Sequence, residues 1–175
     1  VNAVRDGDGE LLNYVALFAD VTSLRVHQEQ LEHVAHYDAL TDLPNRRLLD
    51  DRLRQALAVS ARDGHYGALM FLDLDRFKAL NDTHGHDAGD ALLREVSARL
   101  QASVRASDTV ARLGGDEFVV VLSGVENSEE VTRVIESRLL PLIRQPHDVD
   151  GTELHVSCSI GIAMYPADAG GIDEL

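Results

Sequence analysis

Val110-Ala111-Arg112-Leu113-Gly114-Gly115-Asp116-Glu117-Phe118-Val119-Val120-Val121-Leu122 sets two β-rich runs on either side of a Gly-Gly-Asp-Glu turn. A short glycine-containing turn between such runs is a strong local signal for a β-hairpin. Adjacent glycines admit positive φ and let another molecule come close to the backbone. Two carboxylates follow at once, on the rim of a strand, residues 118–122, that is otherwise wholly apolar. A solvated acidic turn would look the same in isolation, so the neighbouring chain decides between the two readings.

Upstream, Ala68-Leu69-Met70-Phe71-Leu72-Asp73-Leu74-Asp75 is an apolar run of strand length that ends in two acids. Side chains alternate along a strand, which puts Asp73 and Asp75 on one face and Leu72 and Leu74 on the other. Acids at the end of a buried strand are a common seat for a hard cation. Mg²⁺ in particular is held by one or two carboxylates together with substrate phosphates. If the hairpin packs beside this strand, Asp73 and Asp116 meet over one metal.

Three stretches then carry a family resemblance. Residues 114–118 spell GGDEF, residues 71–90 read FLDLDRFKALNDTHGHDAGD, and residues 38–47 read DALTDLPNRR. In this order and spacing they resemble the GGDEF domain of bacterial diguanylate cyclases, from about Asp38 to the end of the chain.

Composition sets the frame. The chain has 175 residues, 45% hydrophobic and 26% charged, which suits one soluble domain and some extra. No apolar run has the length of a membrane span and no signal-peptide pattern opens the chain. Val1-Asn2-Ala3-Val4 reads as a cut from a longer protein, so a parent could be membrane-anchored elsewhere while this part sits in the cytoplasm without membrane contact. Cys158 is the single cysteine and has no partner for an internal disulfide, as expected in a reducing cytoplasm. A net charge of −14 argues against nonspecific nucleic-acid binding. It also means that a triphosphate ligand would need metal ions and a few placed Arg or Lys.

The remaining segments fall into order around this centre. Asp6-Gly7-Asp8-Gly9-Glu10 has the acids of a calcium loop, but Leu11 occupies the glycine position and Leu17 the final glutamate position, so a β-turn is expected. Residues 11–18 look like a strand, and residues 9–25 resemble the last strands and exit of a PAS sensor domain. Residues 23–37 have a helical pattern, with Leu24, Leu31, Val34 and Ala35 on one side, compatible with a short parallel coiled coil or with a linker packed on its own domain. In the resembled family this is a signalling helix. The domain reading is therefore 1–22 as a PAS-like remnant, 23–37 as linker helix and 38–175 as a GGDEF domain truncated at its C-terminus.

Helices are expected at 46–62, at a short turn 76–82, at 88–104 and at 128–144, with Pro141 kinking or ending the last. Two more strands are expected between His147 and Tyr165, around Asp150-Gly151, and the tail 167–175 opens toward an unfinished helix. His84 and His86 lack further ligands for a zinc set. The fold class is α/β (α+β), a central mixed, largely antiparallel β-sheet flanked by helices, like nucleotidyl cyclases and polymerase palms.

The resemblance implies a chemistry. Diguanylate cyclases condense two GTP into cyclic di-GMP and release two pyrophosphates, each 3′-hydroxyl attacking the other α-phosphorus, so two active sites face each other in a homodimer. It implies two Mg (or Mn) ions per site, held by Asp73, Asp116 and the Leu74 carbonyl. Glu117 would bind metal or help deprotonate the hydroxyl. Gly114 and Gly115 would admit the phosphates, Phe77 and Lys78 would contact the triphosphate, and Asn81 and Asp90 would bind the guanine edge. Asp90 could instead merely cap its helix, and Lys78 could be a solvated neighbour. Arg105 and Asp108 match the family's inhibitory site for the product cyclic di-GMP, where arginine can hold phosphate in bidentate fashion. The family also continues past residue 175 into a helix and strand with a further Lys and Arg for the phosphates, so turnover by this stretch alone is expected to be poor. The alternative is a noncatalytic module that binds GTP or cyclic di-GMP and regulates an attached EAL phosphodiesterase domain. Degenerate modules of that kind lose an acid or a turn glycine, and this chain keeps both.

Overall fold

The computed structural model describes residues 2–15, 19–149 and 151–168. The chain divides into two compact units, Val1–His33 and Val34–Leu175. In the first, β1 (Asn2–Arg5) pairs antiparallel with β2 (Leu11–Val15). The Asp6 carboxylate between them accepts the N–H groups of Asp8 and Glu10 at 3.0 and 2.9 Å. That carboxylate is thus committed to a turn, as expected, and residues 16–18 of the expected strand lie outside the described residues. Helix α1 (Thr22–His36) follows, with Leu24, Leu31 and Val34 about 70% exposed.

In the second unit the chain order is α2 (Arg46–Asp63), β3 (Tyr66–Leu74), α3 (Phe77–His84), α4 (His86–Ser103), β4 (Thr109–Gly114) and β5 (Glu117–Val125). Then come α5 (Ser128–Val134), a π-helical turn (Ile135–Leu139), α6 (Leu140–Arg144), β6 (His147–Val149), β7 (Thr152–Leu154) and β8 (Cys158–Tyr165). The central sheet has the order β4-β5-β3-β8, and all three pairings are antiparallel. This is the helix-flanked, largely antiparallel sheet that the family resemblance implies.

Strand alternation divides the core. Ala68, Met70, Leu72 and Leu74 of β3 and Phe118, Val120 and Leu122 of β5 face one way, into a cluster with Leu92, Val96 and Leu100 of α4. Leu69, Val119 and Val121 face the other way, onto Leu49 and Leu53 of α2 and the ring of Tyr165. A Cβ on Gly67 would come within 2.0 Å of that ring, so a glycine is what lets Tyr165 cross β3 and donate its hydroxyl to the Leu122 carbonyl at 3.0 Å.

Helix ends are satisfied locally. Asn45 caps α2 by accepting the Leu48 N–H at 3.2 Å, with Pro44 just before the cap. Arg99 on α4 donates to the carbonyl of Leu142 in the last turn of α6 and to those of Gln145 and Pro146 just beyond it. The expected helix 128–144 continues past Pro141. The adjustment lies upstream in the π turn, where the hydrogen-bond ladder widens before a residue that has no N–H to give. The region after His147 holds three strands where two are expected, because β6 and β7 form a small hairpin of their own. Asp150 and residues 169–175 of the tail expected to open toward a helix lie outside the described residues.

Candidate active site

The two acidic ends meet. Asp73 on β3 stands directly across from Glu117 on β5, and the Leu74 N–H points at the Asp116 carbonyl at 3.4 Å. Gly114 pairs with Glu117, so the turn proper is Gly115–Asp116, shorter than the four-residue Gly-Gly-Asp-Glu turn read from the sequence. Gly114 and Gly115 have φ of 139° and 53°, conformations that disfavour side chains, and an added Cβ at either would meet open space. The glycines therefore serve backbone shape and leave the outer side of the turn clear for a ligand.

Desolvation, and then the charges of Asp116, Glu117 and Asp75, push the Asp73 carboxyl above its usual range. Asp75 behaves differently. It lies one residue beyond the end of β3 and accepts the Ser157 and Ser159 hydroxyls at 2.5 and 2.8 Å, bonds that hold its carboxyl below the ordinary range. The two acids are adjacent in strand alternation, yet only Asp73 joins the hairpin cluster. Among the described residues no group of three or more His, Cys, Asp or Glu makes a metal cage. Two carboxylates with a backbone carbonyl fit instead the mode in which Mg²⁺ completes its shell with water and substrate phosphates.

Arg76 follows in the left-handed region (φ 60°), and α3 begins there without a side-chain cap. The first N–H groups of α3 are thus open to an anion beside the acids. Phe77 buries its ring in the core, which fixes its backbone at that helix end, while Lys78 is exposed. A cleft of about 900 Å³ runs from Asp73 along the Arg76, Ala79 and Thr83 face of α3, with His155 and Ser157 on its far wall.

Asn81 and Asp90 do not line that cleft. Asn81 faces α4, its side-chain oxygen buried and without a hydrogen-bond partner. Asp90 is half-buried on α4 and sits a full turn inside a helix that starts at His86, which removes the capping explanation for it. Arg105 and Asp108 lie at a separate turn before β4. Asp108 accepts the Arg105 and Ser123 N–H groups at 2.9 and 3.2 Å, and the exposed Arg105 guanidinium lies 3.6 Å from Glu130.

One residue of the site is invisible to motif reading. Arg112 is 8% exposed and donates to the Gly115 carbonyl at 3.0 and 2.7 Å, and to Asp38 at 2.7 Å. Its own N–H donates to the Pro44 carbonyl at 3.0 Å. It thereby ties the turn to the segment that enters α2. Burial alone would push the Asp38 carboxyl up. The Thr41 hydroxyl and the Arg112 guanidinium outweigh that and hold it below the usual carboxylate range.

With this geometry in hand, comparison with known proteins is specific. Residues 35–175 match the family described as diguanylate cyclase, GGDEF domain. The chain is 48% identical over 154 residues to the bifunctional diguanylate cyclase/cyclic di-GMP phosphodiesterase MucR of Pseudomonas aeruginosa, covering 88% of this chain and 22% of that protein. The solved GGDEF domain of TpbB from Pseudomonas aeruginosa superposes with a TM-score of 0.76 at 39% identity, covering 80% of this chain and 81% of that one. The coiled coil and GGDEF domain of DgcB from Caulobacter crescentus, solved in complex with c-di-GMP, superposes at 0.73 with 31% identity, covering 86% and 80%. The chain spans between 19% and 34% of the length of four curated relatives.

Proposed function

The chain belongs to the GGDEF domain family of diguanylate cyclases, and from that premise we propose that it condenses two GTP into cyclic di-GMP with release of two pyrophosphates. The observation that carries this reading is the union of Asp73, the Asp116 turn and Glu117 across β3 and β5, with both turn glycines in place.

In this reading Asp73, Asp116 and the Leu74 carbonyl hold divalent ions, Mg or Mn, two per site. Such ions, when bound, lower the pKa of an attacking hydroxyl and shield a departing pyrophosphate. The protein supplies placement and charge. Glu117 shares in holding the cation or accepts the 3′-hydroxyl proton. The uncapped start of α3 at Phe77, with the Lys78 ammonium beside it, receives the triphosphate. Gly114 and Gly115 let phosphate lie against the turn, and Asn81 and Asp90 take the guanine edge. Holding the hydroxyl and the α-phosphorus in line accounts for much of such catalysis.

Each site supplies one GTP, so the active form is a homodimer, for which the exposed Leu24, Leu31 and Val34 stripe of α1 provides an apolar seam. Cyclic di-GMP binds back at Arg105 and Asp108 and inhibits. Residues 1–22 are the end of a PAS-like sensor and α1 is its signalling linker. No described helix is long and apolar enough to cross a membrane, and the domain works in the cytoplasm.

Incubation with GTP and Mg²⁺, followed by chromatographic separation of nucleotides, tests the proposal. Cyclic di-GMP from the parent and none from Asp116→Asn supports it. GTP bound but unchanged by the parent would favour the regulatory module over the enzyme.

A further inference from the structure

We propose that Gly89 is a positioning residue for purine recognition: its missing side chain orients the Asn81 amide next to Asp90. A Cβ on Gly89 would lie 1.9 Å from Asn81 Oδ1, 2.9 Å from Asn81 Cγ and 3.2 Å from Phe77 Cζ. Here α3 and α4 pack tightly against each other, and the contact is made by the Asn81 side chain as well as by the packing ring of Phe77. Gly89 has an ordinary helical φ, so no turn or strain requires a glycine there. Inside a helix, glycine is less favourable than alanine. Space for the amide is the reason that remains.

The orientation follows from the same contact. Asn81 Oδ1 is buried with no hydrogen-bond partner, which is uncommon for an amide oxygen. The Cα–H that a Cβ would replace points at that oxygen, a weak C–H···O contact that an amide nitrogen in the same place could not make. Gly89 therefore selects the amide rotamer whose oxygen is sealed against α4 and whose NH₂ faces away from it. Asp90 follows Gly89 directly on α4, so a ligand edge lying between the two helices would meet an amide donor from α3 and a carboxylate acceptor from α4, which suits a purine edge carrying one acceptor and adjacent N–H donors. Guanine has that edge and adenine does not. The inference rests on the reading of Asn81 and Asp90 as the base-binding pair, and it adds what sets their geometry.

Titration calorimetry of the 175-residue chain with GTP and with ATP, in Ca²⁺ to suppress turnover, tests the idea alongside thermal melting. Gly89→Ala is expected to reduce the preference for GTP over ATP by about tenfold, the worth of one hydrogen bond to a charged-neighbour site, and to lower the melting temperature. Adding Asn81→Ala is expected to restore much of the lost melting temperature, because the amide no longer meets the new methyl, while the GTP preference stays lost. A Gly89→Ala chain that retains its preference while Asn81→Ala loses it would overturn the proposal. So would an equal melting loss from Gly89→Ala in both backgrounds, or a double variant that does not fold, since the glycine would then serve helix packing alone. If Asn81→Ala and Asp90→Ala both leave the preference intact, the base-site reading itself fails, and the proposal with it.

Discussion

Arg112 shows how much one side chain can organise. Its guanidinium is nearly sealed from water and satisfies a turn carbonyl and a carboxylate at once. Removing one partner of such a pair leaves the other charge uncompensated, which costs about 3 kcal/mol in buried settings. Arg112→Ala should lose roughly that in urea unfolding, and with it most of the proposed cyclase activity, because the Gly115 carbonyl no longer has its donor. Asp38 adds a pH dependence of known sign. Its carboxyl is held below the usual range in the folded chain, so its contribution is complete above the ordinary carboxylate pKa. That contribution is lost as pH falls through the lower, folded value. Asp38→Asn should remove this share of the acid sensitivity, read as a shallower fall of the melting temperature below about pH 4. Cys158 makes a contrasting case. Burial, and then the Asp75 charge, push its thiol up to about 11. Native protein at pH 8 should resist iodoacetamide and become labelled only once unfolded.

Between elements, the contact between α4 and the end of α6 is a polar joint built around a buried histidine. His147 is fully buried. Its Nε2 lies 2.9 Å from the Ile143 carbonyl and its Nδ1 lies 3.6 Å from Glu95, with Arg99 alongside. Burial, helped by the Arg99 charge, lowers its pKa against the pull of the Ile143 carbonyl and Glu95. The folded state thus binds fewer protons than the unfolded one. Stability is complete above about pH 6.5, the unfolded value, and declines as pH falls from there toward the folded value. His147→Gln should flatten that part of a melting-temperature profile. Such joints also mark where sequence reading reaches its range. The hairpin, β3 and its acids were legible because glycine turns, strand alternation and carboxylates are local signals. Arg112 pairs with Asp38 across 74 residues, and Gly89 matters through a helix contact, so neither has a local pattern. The two strands expected around Asp150-Gly151 are there as β6 and β7, but the π turn before Pro141 and the break that leaves β8 to pair with β3 have no local pattern, because packing, not periodicity, shapes them.

The molecule as a whole carries a net charge of −14, and its fold gathers part of that charge where the proposed chemistry needs a cation. The Asp73 side chain is exposed, yet desolvation and the charges of Asp116 and Glu117 raise its carboxyl, so the ionised cluster carries a repulsion that a cation relieves. Stability and function should therefore respond in opposite directions to one substitution. Asp73→Asn keeps the shape and removes the repulsion, and it should melt slightly higher than the parent in EDTA. Addition of Mg²⁺ with a nonhydrolysable GTP analogue should raise the parent's melting temperature, since a ligand that binds only the folded state stabilises it. The variant should show little of that rise and, on the proposed function, should form cyclic di-GMP at least about a hundredfold more slowly. A variant that melted lower than the parent without metal would mean that Asp73 serves the sheet rather than the cation. A variant that kept the full ligand-induced rise would move the metal seat to Asp116 and Glu117 alone. Only a loss of ligand response together with a gain in bare stability fits a strand end held under charge strain for the sake of binding.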